Sequence, residues 1–110
     1  MTQEELENIE VSNEAAKQAV AKGEAFKRLL ENDDYKLVIS EGYVKEHAKE
    51  LAVAIAMNVG DYDEEELISA LKSINGLIQY GFKVAAAHNA AEIDLRNNAA
   101  YVANSTKEEE

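Results

Sequence analysis

The chain contains no cysteine, proline or tryptophan, and only two phenylalanines and five glycines among its 110 residues. Without cysteine it forms neither disulfides nor thiolate metal sites, a composition that fits a reducing cytoplasm. Without proline, no residue removes a backbone donor from a helix interior. No apolar run approaches the ~20 residues that span a bilayer, and the acidic N-terminal residues do not resemble a secretory signal. The sequence therefore predicts no membrane association.

Alanine dominates the apolar residues that are present. Apolar residues make up 46% of the chain, and eighteen of them are alanine. Alanine, glutamate, lysine, leucine and glutamine favour helices, so the composition predicts an all-α fold. A large aliphatic side chain contributes only ~1.5–3 kcal/mol when fully buried, and alanine contributes less. A monomer this poor in bulky side chains would be marginally stable, which predicts self-association, as a homo-oligomer, or a protein partner.

The net charge is −11, and it is spread evenly along the chain. Residues 1–50 carry −5, from 7 basic and 12 acidic residues, and residues 51–110 carry −6, from 4 basic and 10 acidic residues. Phosphate backbones repel such a chain, so direct nucleic-acid binding is not expected. The acidity favours solubility and can also steer the protein toward a basic partner.

A first helix is predicted over residues 2–31. Thr2 followed by Glu5 is a capping-box pattern at its start. If the stripe of inward positions is a coiled-coil seam, Asn13 sets its register or the number of partners; the alternative is a solvated asparagine on a loosely packed helix. Steps of three and four residues define the stripe: Leu6, Ile9, Asn13, Ala16, Val20, Gly23 and Leu30.

Three further helices are predicted. Asn32-Asp33-Asp34 interrupts the first helix and supplies N-cap residues for a short helix over 34–41, with Leu37, Val38 and Ile39 inward. Gly42 permits a bend before a third helix over 43–58, and Asn58-Val59-Gly60-Asp61 is a turn. Asp61 or Asp63 caps a fourth helix that runs to Asn104. The third helix is predicted to bury one face: Val44, Ala48, Leu51, Ala52 and Ile55.

The fourth helix is predicted to carry inward positions at a heptad-like spacing, which form the second side of the seam. Gly76 and Gly81 allow this helix to kink. Its small side chains predict an Ala-lined helix contact, either inside the monomer or between subunits, and Ala87→Leu should then overpack it. The predicted architecture is an elongated, coiled-coil-like antiparallel hairpin of two long and two short helices, in one domain over 1–104 with a polar tail over 105–110. The predicted seam is Leu67, Leu71, Ile74, Ile78, Gly81, Ala85, His88, Glu92, Leu95, Ala99 and Val102.

The sequence contains no recognisable catalytic or metal-binding pattern. Counted from Asp61, an EF-hand loop would place glycine and glutamate at positions that here hold Glu66 and Lys72. Neither His47 nor His88 has the carboxylate three residues earlier that a di-iron bundle requires. No serine lies in a Gly-x-Ser-x-Gly setting. The sequence predicts a protein that is not an enzyme and that binds no cofactor or metal.

The interaction candidates are therefore aromatic and small residues. Tyr80 and Tyr101 lie off the main stripe, and tyrosine is frequent at protein interfaces. The other four aromatic residues of the helices, Phe26, Tyr35, Tyr43 and Phe82, are expected in a small core. Together with the helix contact described above, the predicted interaction residues are Tyr80, Tyr101, Ala87, Ala91 and Asn13.

Residues 24–52, EAFKRLLENDDYKLVISEGYVKEHAKELA, form a distinctive string. An Arg-Leu-Leu triplet at 28–30, Asn32, Asp34, Tyr35 and Lys36 are followed by Val38-Ile39 and Gly42-Tyr43, with a weaker echo over 70–80. The two stretches, 29 and 11 of the 110 residues, resemble small uncharacterised proteins of tailed bacteriophages. The chain departs from them by lacking proline near position 33 and a larger residue at 44. The resemblance implies a phage origin and a link to head or virion assembly.

Two functions are therefore expected to compete. The first is a phage scaffold, chaperone or minor virion component that acts through protein–protein binding in the host cytoplasm or the virion. The second is a small acidic inhibitor of a host protein, which would imitate the charge of DNA. A helical adaptor unrelated to phages is a third and less specific alternative.

Overall fold

The computed structural model describes residues 1–57 and 63–109, with side chains up to Thr106. Within these ranges every regular element is helical and no strand occurs, which confirms the all-α prediction. The predicted turn at 58–61 and the start of the EF-hand comparison at Asp61 lie outside the described residues. The elements in chain order are α1 (Gln3–Glu31), α2 (Asp33–Tyr35), a π-helix (Lys36–His47), α3 (Ala48–Met57) and α4 (Glu64–Glu109).

Side-chain caps mark the predicted helix starts. Thr2 Oγ1 accepts a hydrogen bond from the backbone N–H of Glu5 at 3.1 Å. Asn32 Oδ1 accepts from the amide three residues later at 3.0 Å, and the extended backbone of Asn32 separates α1 from α2. Asp63 Oδ1 accepts from the amide two residues later at 3.2 Å. Each such cap satisfies a free N–H and stabilises a helix by about 0.5–2 kcal/mol.

The bend predicted at Gly42 is wrong, because α2, the π-helix and α3 form one uninterrupted helix over residues 33–57. The backbone has α-helical angles on both sides of the π-helix, with φ −63° and ψ −41° at Tyr35 and φ −60° and ψ −41° at Ala48. No side chain caps the start of the π-helix. Its bounds are therefore not set by helix breakers.

The spacing of apolar residues explains the π-helix. A π-helix bonds residue i to i+5 and repeats a face every four to five residues, whereas an α-helix repeats after 3.6. An α-helix would bring Leu37 and Glu41 to the inner face. Leu37 is instead 70% exposed and Val38 62% exposed, so the prediction that both point inward is wrong. The half-buried residues recur at the longer spacing: Tyr35, Ile39, Ser40, Gly42, Tyr43, Val44 and Ala48.

Helix α4 passes through Gly76 and Gly81 without a break. It also includes the predicted polar tail as far as Glu109, because no proline or glycine follows Gly81 to end it. The predicted end at Asn104 was therefore too early.

The chain divides into two compact units. Unit 1 contains Met1–Phe26 and Lys83–Glu110, and unit 2 contains Lys27–Phe82. The prediction of a single domain over 1–104 stays a prediction. The core of unit 2 is formed by Leu51, Leu67 and Ile74, and partly buried apolar residues of the π-helix, α3 and α4 pack against it: Tyr43, Val44, Ala48, Ala54, Ile55, Ala70, Leu71 and Ile78.

The two helices of unit 1 pack along a seam. On α1 the predicted stripe is buried or half-buried up to Gly23, whereas Leu30, which belongs to unit 2, is exposed. On α4 the predicted inward positions Ala85, Glu92 and Ala99 are wrong by one residue. From Gly81 the buried face continues three residues later, at Val84. Glu92 therefore lies beside this face, and its side chain is half exposed rather than buried. The observed positions are Val84, His88, Ala91, Leu95, Asn98, Val102 and Ser105.

Candidate interaction surfaces

The two helices of unit 1 run antiparallel and are joined by an asparagine pair. Asn98 Nδ2 donates to Asn13 Oδ1 at 2.9 Å and lies 3.3 Å from Ser12 Oγ. Both asparagines are half-buried, and an unpaired buried polar group costs about 1–3 kcal/mol. A slip of one helix along the other would break this pair. The contact therefore supports a register role for Asn13, while its effect on partner number stays a prediction.

His88 fits against Gly23 in the same seam. His88 is 2% exposed, and a Cβ atom at position 23 would overlap its Cβ and Cγ atoms. The sequence places Gly23 in the α1 stripe but gives no reason for a glycine there, because that reason depends on which residue lies opposite. The glycine thus has a packing role that only the pairing of the two helices defines.

The His88 imidazole is buried beside one carboxylate, that of Glu92. Its Nε2 atom lies 2.7 Å from Glu92 Oε1, yet no partner is aligned with its N–H direction for a hydrogen bond. The seam shields the ring from solvent, since the residue is only 2% exposed. The location agrees with the predicted place of His88 in the α4 seam.

The two alanines predicted as interaction residues lie in different surroundings. Ala91 is buried in the unit 1 seam, and Ala87 is exposed. An Ala-lined contact inside the monomer therefore involves Ala91. A contact at Ala87 requires a second molecule, and that alternative stays a prediction.

Leucine at these two positions should have different effects. Ala91→Leu adds atoms to a closed seam, and we expect a loss of about 1–3 kcal/mol. Ala87→Leu enters solvent and should change the monomer by no more than about 0.5 kcal/mol. Chemical denaturation of both variants measures the difference, and light scattering shows whether Ala87→Leu changes the oligomeric mass. Equal losses without a change in mass would contradict the placement of the two residues.

The two tyrosines predicted as contacts are both exposed. In unit 1, the hydroxyl of Tyr101 lies 3.4 Å from Glu5 Oε2 and donates a weak hydrogen bond to it. In unit 2, Tyr80 has no such contact among those described. Both rings are available to another molecule, and their role as interface anchors stays a prediction.

Unit 2 exposes most of the large apolar side chains on the described surface. Two of them, Val53 and Met57, lie about one turn apart on the outer side of α3, the side away from Leu51. Val53 also lines a shallow depression of about 420 Å³ together with Lys49, Glu50 and Ala54. We call the exposed apolar residues of this unit the apolar surface of unit 2: Leu29, Leu30, Leu37, Val38, Val53, Met57, Ile68, Tyr80 and Phe82. The expected core position of Phe82 is therefore wrong.

Among the described residues, the ionisable side chains form no metal-binding cluster. His47 is exposed, stacks on Tyr43 with the ring centroids 5.9 Å apart, and lies 3.6 Å from Glu50 Oε2. Across residues 1–57 and 63–109, no three histidine, aspartate or glutamate side chains converge on a possible metal position. In the same part of the chain, no helix is long and apolar enough to cross a membrane. Comparisons with protein-family models, curated proteins and solved structures found no match to this chain.

Proposed function

We propose that this protein is a structural or assembly component of a tailed bacteriophage and that it acts by binding other proteins. Its role would be that of a scaffold, a chaperone or a minor virion component, in the host cytoplasm or in the particle. The apolar surface of unit 2 supports the binding part of this proposal. The resemblance of residues 24–52 supports the phage part.

The contrast between core and surface in unit 2 is the observation that carries the proposal. Only three large apolar residues, Leu51, Leu67 and Ile74, form the buried core among the described residues of this unit. Nine large apolar residues of the same unit remain exposed. Fully burying a large apolar side chain is worth about 1.5–3 kcal/mol, and covering the exposed 38–70% of each of these gains part of it, so a partner that covers several of them binds favourably. Exposed apolar patches are typical of protein–protein interaction sites.

Four members of this surface lie in the segment that resembles phage proteins. Leu29 and Leu30 lie in the last turn of α1, and Leu37 and Val38 lie in the first turn of the π-helix. The charged residues between them include Asp33 and Asp34, which keep this part of the surface soluble when it is unoccupied. The proposed binding surface and the distinctive string thus coincide over ten residues.

Two measurements test the proposal. Light scattering over a roughly hundredfold concentration range gives the oligomeric mass, and mass spectrometry detects the chain in purified virions and in assembly intermediates. We expect an oligomer or stable co-purification with a head protein. A strict monomer that is absent from both kinds of particle would refute the proposal.

Polar substitutions should separate binding from folding. Leu37→Ser with Val38→Ser removes two exposed apolar side chains, and we expect at least a tenfold loss of affinity, about 1.4 kcal/mol, for the partner or the second copy. The free protein should keep its stability within about 0.5 kcal/mol, since neither side chain is buried. Val11→Ser, at an exposed valine of unit 1, is the matched control and should leave affinity unchanged. An equal loss in the control would contradict the assignment of this surface.

The acidic inhibitor remains the second candidate because α1 presents a run of exposed carboxylates. These side chains are Glu4, Glu5, Glu7, Glu10 and Glu14. Such a function would require a basic or DNA-binding host protein as partner. Affinity capture from host lysate distinguishes the two candidates, since only the inhibitor would retain a basic protein whose binding weakens steeply with salt.

A further inference from the structure

One exposed face runs along the helix over residues 33–57. Both ends of this face are apolar, with side chains that are 46–70% exposed: Leu37 and Val38 in the π-helix, and Val53 and Met57 in α3. The charged side chains between the two ends are exposed as well. We call these residues the outer face of the helix: Leu37, Val38, Glu41, Lys45, Glu46, Lys49, Glu50, Val53 and Met57.

The π-helix keeps the two ends of the outer face on one side of the helix. Glu46 lies nine residues after Leu37, a separation of roughly two and a half α-helical turns that would put the two residues on opposite sides. The same separation is about two turns of a π-helix, and both side chains are exposed. From Glu46 the face continues at steps of four, three and four residues to Glu50, Val53 and Met57. One face therefore extends over both helix types.

The outer face has a similar pattern in both directions along the chain. When it is reversed about a centre between residues 47 and 48, the two apolar ends correspond to each other and lysines correspond to glutamates. Among its charged residues only Glu41 has an uncharged counterpart, and its carboxylate binds Lys45 of the same chain at 3.1 Å. The corresponding residues are Val38 with Met57, Lys45 with Glu50, and Glu46 with Lys49.

A face with this pattern is complementary to itself. Two copies that pack about a two-fold axis put residue i of one opposite residue j of the other, and residue j opposite residue i. If the two helices run antiparallel about the centre between residues 47 and 48, the two lysines of each copy lie opposite two glutamates of the other. Val53 then lies opposite Gly42, where no side chain obstructs it. Apolar side chains leave water at both ends of such a pair, which stabilises it.

The charges of the outer face favour a second copy over a strongly basic partner. The whole chain carries −11, yet two of the five charged residues on this face are lysines, and the signs alternate along the sequence from Glu41 to Glu50. A basic surface would be repelled by both lysines. The reversed face of a second copy instead offers an opposite charge at four of the five positions, and opposed like charges disfavour other registers.

We propose that the outer face is a homodimer interface, in which the helices over residues 33–57 of two copies pack antiparallel with their centre between residues 47 and 48. This inference rests on the proposed binding role of the apolar surface of unit 2, and it identifies the partner of that surface as a second copy of this chain. It does not depend on a phage origin.

Exchanging the charges of the outer face tests the pairing in the full-length chain. Lys45→Glu with Lys49→Glu gives an acidic variant, and Glu46→Lys with Glu50→Lys gives a basic variant. Each variant alone puts like charges opposite one another, so we expect its homodimer to be at least about tenfold weaker than that of the parent. An equal mixture restores opposite charges throughout and should form a heterodimer about as stable as the parent dimer. Sedimentation equilibrium measures all three affinities.

A matched control separates the outer face from net charge. Lys17→Glu with Lys22→Glu changes two exposed lysines of α1 and alters the net charge as the acidic variant does. Its homodimer should keep the parent affinity within about threefold at physiological salt, where distant surface charges are screened. Circular dichroism should show the same helix content in all of these variants, because every substituted side chain is exposed.

Chemical cross-linking tests the antiparallel direction, because the chain has no cysteine of its own. Val38→Cys and Met57→Cys chains are prepared separately and treated with a short reagent that joins two thiols. A mixture of the two should give a cross-linked dimer that contains one chain of each kind. Neither chain alone should cross-link, since equal residues lie at opposite ends of an antiparallel pair.

Four results would overturn the proposal. They are a parent chain that stays monomeric up to about 1 mM, charge variants that dimerise alone as well as the parent does, a mixture that associates no better than its components, and cross-linking of either cysteine chain with itself. A monomeric parent that is found in virions overturns the pairing and leaves the proposed phage role intact. A charge-dependent dimer that is absent from virions and assembly intermediates supports the pairing and counts against that role.

Discussion

Gly23→Ala is expected to destabilise unit 1 by about 2 kcal/mol, although alanine is the better helix former. The intrinsic preference for alanine inside a helix is worth only about 1 kcal/mol. The new Cβ atom would overlap the Cβ and Cγ atoms of His88, which lie close to the backbone and cannot move aside without a shift of the helix. Urea unfolding followed by circular dichroism measures the loss.

The chain offers a matched control for this substitution. Like Gly23 in α1, Gly76 lies inside a helix, α4, but a Cβ atom there would meet no described atom within 4 Å apart from its own neighbouring backbone. Gly76→Ala should therefore stabilise the protein by about 0.5–1 kcal/mol. Adding His88→Ala to Gly23→Ala should recover part of the loss by removing the opposing ring. If Gly23→Ala stabilises as Gly76→Ala does, the seam of unit 1 is packed differently.

Ile74→Ala should cause the largest loss of any single substitution considered. Ile74 is 2% exposed and lies in the core cluster of unit 2 with Leu51 and Leu67. Truncating a buried isoleucine to alanine leaves a cavity and costs about 2–5 kcal/mol. The midpoint of urea unfolding should fall accordingly, with little change in the dependence of the unfolding free energy on urea.

Ile68 provides the comparison for this prediction, because it is the same residue type on the same helix but is 38% exposed. We expect Ile68→Ala to lose only about 1 kcal/mol, since its side chain reaches solvent and water can fill the space that truncation leaves. Similar losses at positions 74 and 68 would show that the core of unit 2 does not have its centre at Ile74.

The positions of helices were predictable because they depend on short-range chemistry. Thr2, Asn32 and Asp63 are capping residues whose side chains bond amides two or three positions later, so each helix start is encoded locally. The inward stripe of α1 was predictable for the same reason, since steps of three and four residues define one face. These features require no knowledge of what the helix packs against.

The π-helix was missed because an α-helical repeat was assumed throughout. Under that repeat, Gly42 resembled a bend between two short helices. A signal was nevertheless present, since Tyr35, Ile39, Tyr43 and Ala48 follow one another at steps of four, four and five. Single steps of four also occur on α-helical faces, but 13 residues over three steps exceed the 3.6-residue α-helical repeat and fit i to i+5 bonding.

The inner face of α4 in unit 1 depended on information that lies outside the helix. A strict heptad placed Glu92 inward, and the observed step of three residues to Val84 places Ala91 there instead. Two pairs of residues have roles that depend on both helices of unit 1, which are distant in sequence: Gly23 with His88, and Asn13 with Asn98. Among the predicted contact residues, Tyr80, Tyr101 and Ala87 are exposed, and what binds them depends on a second molecule.

The composition of the unit 1 seam also affects how evenly stability is distributed. Its fully buried positions hold two alanines, a glycine, one valine and a histidine, whereas the core of unit 2 has two leucines and an isoleucine. Less apolar area leaves water when the unit 1 helices associate, so their separation costs less free energy. Sub-global opening should therefore begin at the chain ends, exposing the amides of unit 1 to exchange and proteolysis while unit 2 stays folded.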